Sequence, residues 1–190
     1  NLIGEVTRTV ALKVLSDLYK DLPLIATTGK SGRELFEIGD YSNQIYMVGS
    51  MGCASVLGLG VSEVKKEKPV CVVDGDGALM MRLSTMCTLG LKSQGKLFHV
   101  LLDNGVHDST GGQATFSSGI NFAEIAKATG YKNILATDDK NEFENFVKEN
   151  MNKSELSFVH FKIKPGSPSN LGRPTIKPFE VADRFKTFLK

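Results

Sequence analysis

Strands and helices alternate along this 190-residue chain as they do in α/β proteins: a parallel sheet of about six strands with helices on both faces. Three observations carry that expectation. Apolar runs of strand length, such as Val70-Cys71-Val72-Val73, recur between stretches of helical spacing. That run leads into Gly75-Asp76-Gly77, where the backbone can turn sharply and start a helix at Ala78. The 26 residues from Ala78 to Asp103 then suffice for one helix and one returning strand, a βαβ unit.

The elements follow in order. Val6, Val10, Val14 and Leu18 have helical spacing, so 6–18 is an amphipathic helix. Pro23 precedes a short strand at 24–27, and the segment after it is expected to be a loop carrying Lys30 and Arg33. Residues 45–48 form a strand stopped by Gly49, and a helix rich in small residues continues through Val64. Buried strands at 70–73 and 97–102 flank a helix at 78–93. A glycine-rich loop spans 105–119, and 122–129 is a helix. A strand at 134–136 and a helix at 138–151 follow, the latter with an acidic first turn that suits its dipole. Residues 157–163 are the last strand and 179–189 a closing helix. The irregular stretch 165–178, with four prolines and two glycines, reads as an ordered arm. With no repeat, low-complexity tract or interior linker, residues 1–190 form one domain.

An apolar content of 41% fills a core of this size, and 23 basic against 21 acidic residues is too balanced for nucleic acid or an anionic membrane. No apolar run approaches a membrane span and no secretory signal is present, so a cytoplasmic location is expected. The chain opens on Asn1 rather than Met, as a piece of a longer protein would. Cys53, Cys71 and Cys87 are an odd set without metal-type spacing; Cys71, in a buried strand, reads as core.

Asp76 and Asn104 are the candidate metal ligands. The βαβ unit brings Asn104 beside Asp76 at the carboxyl edge of the sheet. One carboxylate and one amide oxygen there, with a diphosphate supplying further oxygens, describe a Mg²⁺ or Ca²⁺ site. The plainer alternative is a helix N-cap and a turn residue. Gly29-Lys30-Ser31 is not a nucleotide P-loop, because Leu24 stands where that motif needs glycine. Lys30 and Arg33 suit a phosphonate or sulfonate, or else are a solvated pair partnered by Glu34. Gly49, Ser50, Met51 and Gly52 follow a strand without the dinucleotide-binding spacing. His107 and Asp108, with Ser109, are a polar cluster on a loop with glycines that let it close over a substrate. His99 and His160, inside strands, read as structural.

Gly75-Asp76-Gly77, the spacer and Asn104 resemble the metal motif of the thiamine-diphosphate enzymes. The segments at 27–36, 48–52 and 104–113 narrow the resemblance to the carboxyl-terminal, diphosphate-binding half of the phosphonopyruvate decarboxylases, with the sulfopyruvate decarboxylases close relatives. One departure is Asp103, where many relatives have a first Asn.

The resemblance implies thiamine diphosphate and Mg²⁺ as cofactors. It places Asp76, Asn104 and the Val106 carbonyl on the metal, and Gly49, Ser50, Met51, Gly75, Gly77 and Ala78 against the cofactor. Met51 props the thiamine into a bent form. Lys30 and Arg33 meet the anionic end of a small 2-oxo acid, and His107 and Asp108 serve catalysis. The implied reaction is decarboxylation of 3-phosphonopyruvate to phosphonoacetaldehyde; sulfopyruvate decarboxylation and a non-catalytic cofactor-binding subunit are the alternatives. It further implies a homo- or hetero-oligomer in which a pyrimidine-binding domain or alpha subunit supplies the activating Glu. The surface around 49–52 and 75–78 is then an interface, and the chain alone is silent.

Overall fold

The computed structural model describes residues 4–190; positions 1–3 of the expected domain lie outside the described residues. Its strands are β1 (Leu24–Ala26), β2 (Gln44–Tyr46), β3 (Val70–Gly75), β4 (Leu97–Asp103), β5 (Val106–His107), β6 (Gln113–Ala114), β7 (Asn133–Thr137) and β8 (Ser157–Lys162). Six of them form one parallel sheet in the order β2-β1-β3-β4-β8-β7, as expected. The helices are α1 (Arg8–Leu18), α2 (Lys30–Ile38), α3 (Ala54–Val64), α4 (Asp76–Met81), α5 (Thr85–Lys92), α6 (Phe122–Thr129), α7 (Lys140–Asn150) and α8 (Pro178–Leu189).

The central strands β3 and β4 are buried along almost their whole length, which is why they read as continuous apolar runs. Their side chains alternate between two cores. Cys71, Val73, Phe98 and Val100 face one that includes Leu12, Leu35 and Phe143; Val70, Val72, Leu97 and Leu101 face one that includes Leu59, Met86 and Phe122. Helix α8 packs against edge strand β2, sending Val181 to the first core and Phe185 to the second. That arrangement shields an edge otherwise open to strand pairing. No helix among the described residues is long and apolar enough to cross a membrane.

Three expectations need correction. Lys30 and Arg33 lie on α2, not on a loop: Ser31, Gly32, Glu34 and Leu35 supply a buried face that the short segment hid. The expected helix at 78–93 is two helices; Arg82 ends α4 in a non-helical conformation, and Asp76 itself is the first residue of α4. The glycine-rich loop folds back on itself as the antiparallel pair β5–β6, joining His107 to Gln113. Elsewhere the helix boundaries follow local capping: Thr7, Asn121 and Asp139 side chains accept from the first turns of α1, α6 and α7.

The strand order creates the functional crevice. From β1 the chain steps outward to β2, whereas from β3 it steps the other way to β4. The loops leaving the carboxyl ends of β1 and β3 therefore diverge, and a gap opens between them where ligands bind in sheets of this kind.

Candidate functional site

A cavity of about 220 Å³ fills that crevice. Thr27, Thr28, Gly29 and Lys30 form the wall beyond β1, Gly75 to Ala78 the wall at the start of α4, and Asn104 with Val106 to Thr110 the side beyond β4. Gly75 pairs with Leu102 in the β3–β4 register, so Asp76 and Asn104 leave adjoining strands at nearly the same level. The spacing of the two residues thus has the expected consequence.

Asp76 is 3% exposed and accepts a short hydrogen bond from the Thr115 hydroxyl. Burial raises its carboxyl above the ordinary value, the neighbouring Asp103 charge adds to the rise, and the Thr115 bond opposes both. Asp103 goes the other way. Burial would raise it, but hydrogen bonds from His160 Nε2 (2.8 Å) and Ser117 Oγ (2.7 Å) outweigh that and hold it below the usual range. The Gly105 amide also donates to Asp103, at 3.0 Å. Asn104 Nδ2 donates to Asp108 Oδ2 at 2.6 Å, while Asn104 Oδ1 accepts from the Val106 amide at 3.2 Å. The side-chain amide is therefore held in one orientation.

His107 and Met51 meet over Gly77. A methyl group on residue 77 would stand 2.5 Å from His107 Cε1 and 3.3 Å from Met51 Cε, so only glycine leaves room for both side chains. Met51 arrives there through a turn in which Gly49, Ser50 and Gly52 all have positive φ (68°, 49° and 84°). Gly49 and Ser50 are exposed outside the cavity lining, whereas Met51 is in it.

Asp108 belongs to a buried ionic cluster that sequence reasoning missed. Its Oδ2 accepts from Arg8 at 2.5 Å and from the Gly166 amide at 3.3 Å, besides Asn104. Arg8, on α1 and 5% exposed, also donates to Glu34 (2.7 Å), Ser167 Oγ (2.9 Å) and the Gly166 carbonyl (3.2 Å). Thr9 Oγ1 takes the second Glu34 oxygen. Glu34 is thus committed elsewhere, and among the described residues Lys30 and Arg33 have no carboxylate partner. Lys30 lines the Asp76 cavity, and Arg33 lines its neighbour. Nothing in local spacing connects Arg8 with Asp108. The one available signal was an arginine on the apolar-spaced opening helix.

An oxygen-liganded divalent ion bound jointly with a diphosphate fits this donor set. Asp76 and Asn104 both line the cavity, and so do Gly77 and Ala78 in the first turn of α4, whose amides have no acceptor within the helix. Among the described residues no three His, Cys, Asp or Glu side chains form a metal cluster.

The sequence matches the family described as thiamine pyrophosphate enzyme, C-terminal TPP binding domain, over residues 28–161. It is 44% identical to a phosphonopyruvate decarboxylase of Streptomyces viridochromogenes over 184 residues, covering 96% of this chain and 46% of that protein. It is 36% identical to a sulfopyruvate decarboxylase subunit beta of Methanothermobacter thermautotrophicus over 160 residues, covering 84% of this chain and 83% of the subunit. The chain spans about half the length of the phosphonopyruvate decarboxylases it matches. An X-ray structure of a Mycobacterium smegmatis protein, assigned to the thiamin diphosphate-dependent enzymes, shares the fold with a TM-score of 0.70 at 17% identity. That alignment covers 86% of this chain and 33% of the other. By its sequence match, and with a fold in agreement, the chain belongs to the thiamine pyrophosphate enzyme family, as its C-terminal, TPP-binding domain.

Proposed function

We propose that this chain binds thiamine diphosphate through Mg²⁺ and is the diphosphate-binding half of a decarboxylase that converts 3-phosphonopyruvate to phosphonoacetaldehyde and CO₂. The observation that carries the reading is Asp76, buried at the head of α4 and level with Asn104 across β3 and β4. Identity of 44% to a phosphonopyruvate decarboxylase supports the substrate. Sulfopyruvate is the second reading, supported by 36% identity to a sulfopyruvate decarboxylase subunit beta.

When bound, thiamine diphosphate supplies the electron sink that loss of CO₂ from a 2-oxo acid requires. The chain's own residues position and screen it. The Asp76 and Asn104 side-chain oxygens and the Val106 carbonyl hold Mg²⁺. Gly75, Gly77 and Ala78 receive the diphosphate, and Gly49, Ser50 and Met51 bear on the cofactor's middle. Asp108 acts by keeping the Asn104 amide in place, its Oδ2 already being shared by three donors. His107, beside Met51, has a ring nitrogen free to hydrogen-bond the substrate or return a proton to the carbon that has lost CO₂. Lys30 and Arg33 open into adjoining cavities and attract the distal anion.

The catalytic unit includes a pyrimidine-binding half, either fused or a separate alpha subunit, within a homo- or hetero-oligomer. Exposed Val48 (67%) and Met81 (64%), with Val56 and Leu57, flank the 49–52 turn and α4 and form the surface it covers. With three free cysteines, we place the assembly in the cytoplasm. The test is turnover. The chain with saturating thiamine diphosphate and Mg²⁺ should release little CO₂ from 3-phosphonopyruvate, and adding the pyrimidine-binding half should restore it. Robust turnover by the chain alone overturns the division of the site. A complex that binds the cofactor yet decarboxylates neither acid makes this a non-catalytic subunit.

A further inference from the structure

We propose that Arg173, on the irregular strap between β8 and α8, joins Arg33 in binding the distal phosphonate or sulfonate of the substrate. The inference rests on the decarboxylase reading above and adds the residue that selects for a second anionic group.

The crevice has a second chamber. A cavity of about 420 Å³, larger than the 220 Å³ around Asp76, shares Thr28, Gly29 and Ser109 with it. The two chambers therefore adjoin across these three residues. Arg33 of α2 and Arg173 of the strap both line that second space, and the rest of its wall includes apolar Met47, Val48 and Ile176. Two guanidinium groups at one cavity repel each other unless an anion lies between them. A tetrahedral group with three oxygens suits their planar forks, and apolar walls strengthen the attraction by displacing water.

Neither arginine is committed elsewhere. Among the described residues Arg8 and Arg184 have carboxylates within 2.7 Å, whereas Arg33 and Arg173 have none at ion-pair distance. The carboxylate nearest in sequence to Arg33 is Glu34, and Arg8 and Thr9 occupy both of its oxygens.

The strap holds Arg173 in place. At its start the Lys164 amide donates to the Val6 carbonyl at 2.8 Å, and Arg8 bonds the Gly166 carbonyl and Ser167 hydroxyl. At its end the Lys177 amide donates to Glu180 at 2.9 Å as α8 begins. Pro165, Pro168, Pro174 and Pro178 limit the unfolded alternatives of the segment, so an exposed side chain is presented from a well-anchored backbone. Its connection to Arg8 also ties the second chamber to the cluster that orients Asn104.

The experiment compares Arg173→Gln, Arg173→Lys and Arg33→Gln in the complex of this chain with its pyrimidine-binding half, loaded with thiamine diphosphate and Mg²⁺. Substrates are 3-phosphonopyruvate, sulfopyruvate and pyruvate. Arg173→Gln should raise KM for the favoured dianionic acid roughly ten- to hundredfold, the effect of losing a charge-assisted hydrogen bond, and leave KM for pyruvate unchanged. Arg173→Lys should fall between, and the Arg33→Gln/Arg173→Gln pair should be less than multiplicative, because both act on one anion. In the isolated chain, methylphosphonate titrated by NMR should bind at least about tenfold more weakly to Arg173→Gln, with an unchanged melting temperature. Equal KM effects on pyruvate and the dianionic acid, or no effect on either, would overturn the role of Arg173 while leaving the decarboxylase reading intact. A wild-type complex that decarboxylates pyruvate but neither dianionic acid removes the reading and the inference together.

Discussion

His160 Nε2 donates to Asp103 Oδ2 at 2.8 Å, and that bond pins the last residue of β4 immediately before Asn104. A matching pair lies one strand over: His99 Nε2 and Asp74 Oδ2 are 3.0 Å apart, two residues before Asp76. Each candidate metal ligand therefore leaves a strand whose end is fastened to its neighbour by a buried aspartate–histidine pair. Asp103 has a further reason to be a carboxylate. Its Oδ1 accepts from Ser117 and the Gly105 amide and its Oδ2 from His160. An Asn that kept its oxygen toward Ser117 and Gly105 would turn its amino group, a donor, toward His160 Nε2. Replacing His160 by Ala should lower stability by about 1–3 kcal/mol, since a buried carboxylate loses a partner. Urea denaturation checks this. A loss within a few tenths of a kcal/mol would mean that Ser117 and Gly105 suffice.

Asp76→Ala and Asn104→Ala should each weaken Mg²⁺-dependent binding of thiamine diphosphate at least about tenfold. Neither is part of an apolar core, so circular dichroism should show the fold retained. A lost charged partner is worth about 1.5–3 kcal/mol, enough for a ten- to hundredfold weakening from one ligand alone. Calorimetric titration with and without Mg²⁺ is the measurement. Unchanged affinity in both variants would remove the metal site.

Arg8→Met should harm both the fold and the site. It leaves Glu34 (1% side-chain exposure) and Asp108 (13%) without their guanidinium, a loss on the order of 3–5 kcal/mol for a broken buried pair. In material that still folds, affinity for Mg²⁺ with thiamine diphosphate should drop about 10–100-fold because the amide of Asn104 is no longer braced. Arg8→Lys keeps charge but loses the fork, so it should recover stability more than affinity. Equal recovery of both would show that the cluster is only structural.

Acid should weaken the attachment of α8 to the sheet edge. The Asp40 carboxyl accepts from Arg184 at 2.6 Å, which holds it below the ordinary value against the rise from burial; the Tyr46 hydroxyl, at 3.0 Å, lowers it further. A depressed native value means that the unfolded chain takes up the proton first. The contribution is present above about pH 4 and disappears as pH falls through the lower native value. With the pair partly exposed, it is worth about 0.2–1 kcal/mol and shrinks in salt. Stability of wild type and Asp40→Asn, followed from neutral pH downward, should converge in acid. A constant difference at all pH values would rule out this ion pair as the cause.

Much was legible in sequence because it depends on short-range pattern. Continuous burial marked β3 and β4, glycines around Asp76 marked the strand-to-helix turn, and the length of the βαβ unit brought Asn104 to the same sheet edge as Asp76. What tertiary structure alone decided depends on pairs far apart in the chain. Arg8 reaches Asp108 across 100 positions, and His160 reaches Asp103 across 57. Arg173 comes to the same cavity as Arg33 only because the strap folds back over α2. Local propensity also misplaced Lys30 and Arg33, since a helix of nine residues with glycine inside it becomes stable only when its buried face meets the sheet. Periodicity and spacing record which way a residue faces and how far the chain can reach. Which buried charge meets which partner follows from the packing of whole elements, and that is where the site's supporting contacts were determined.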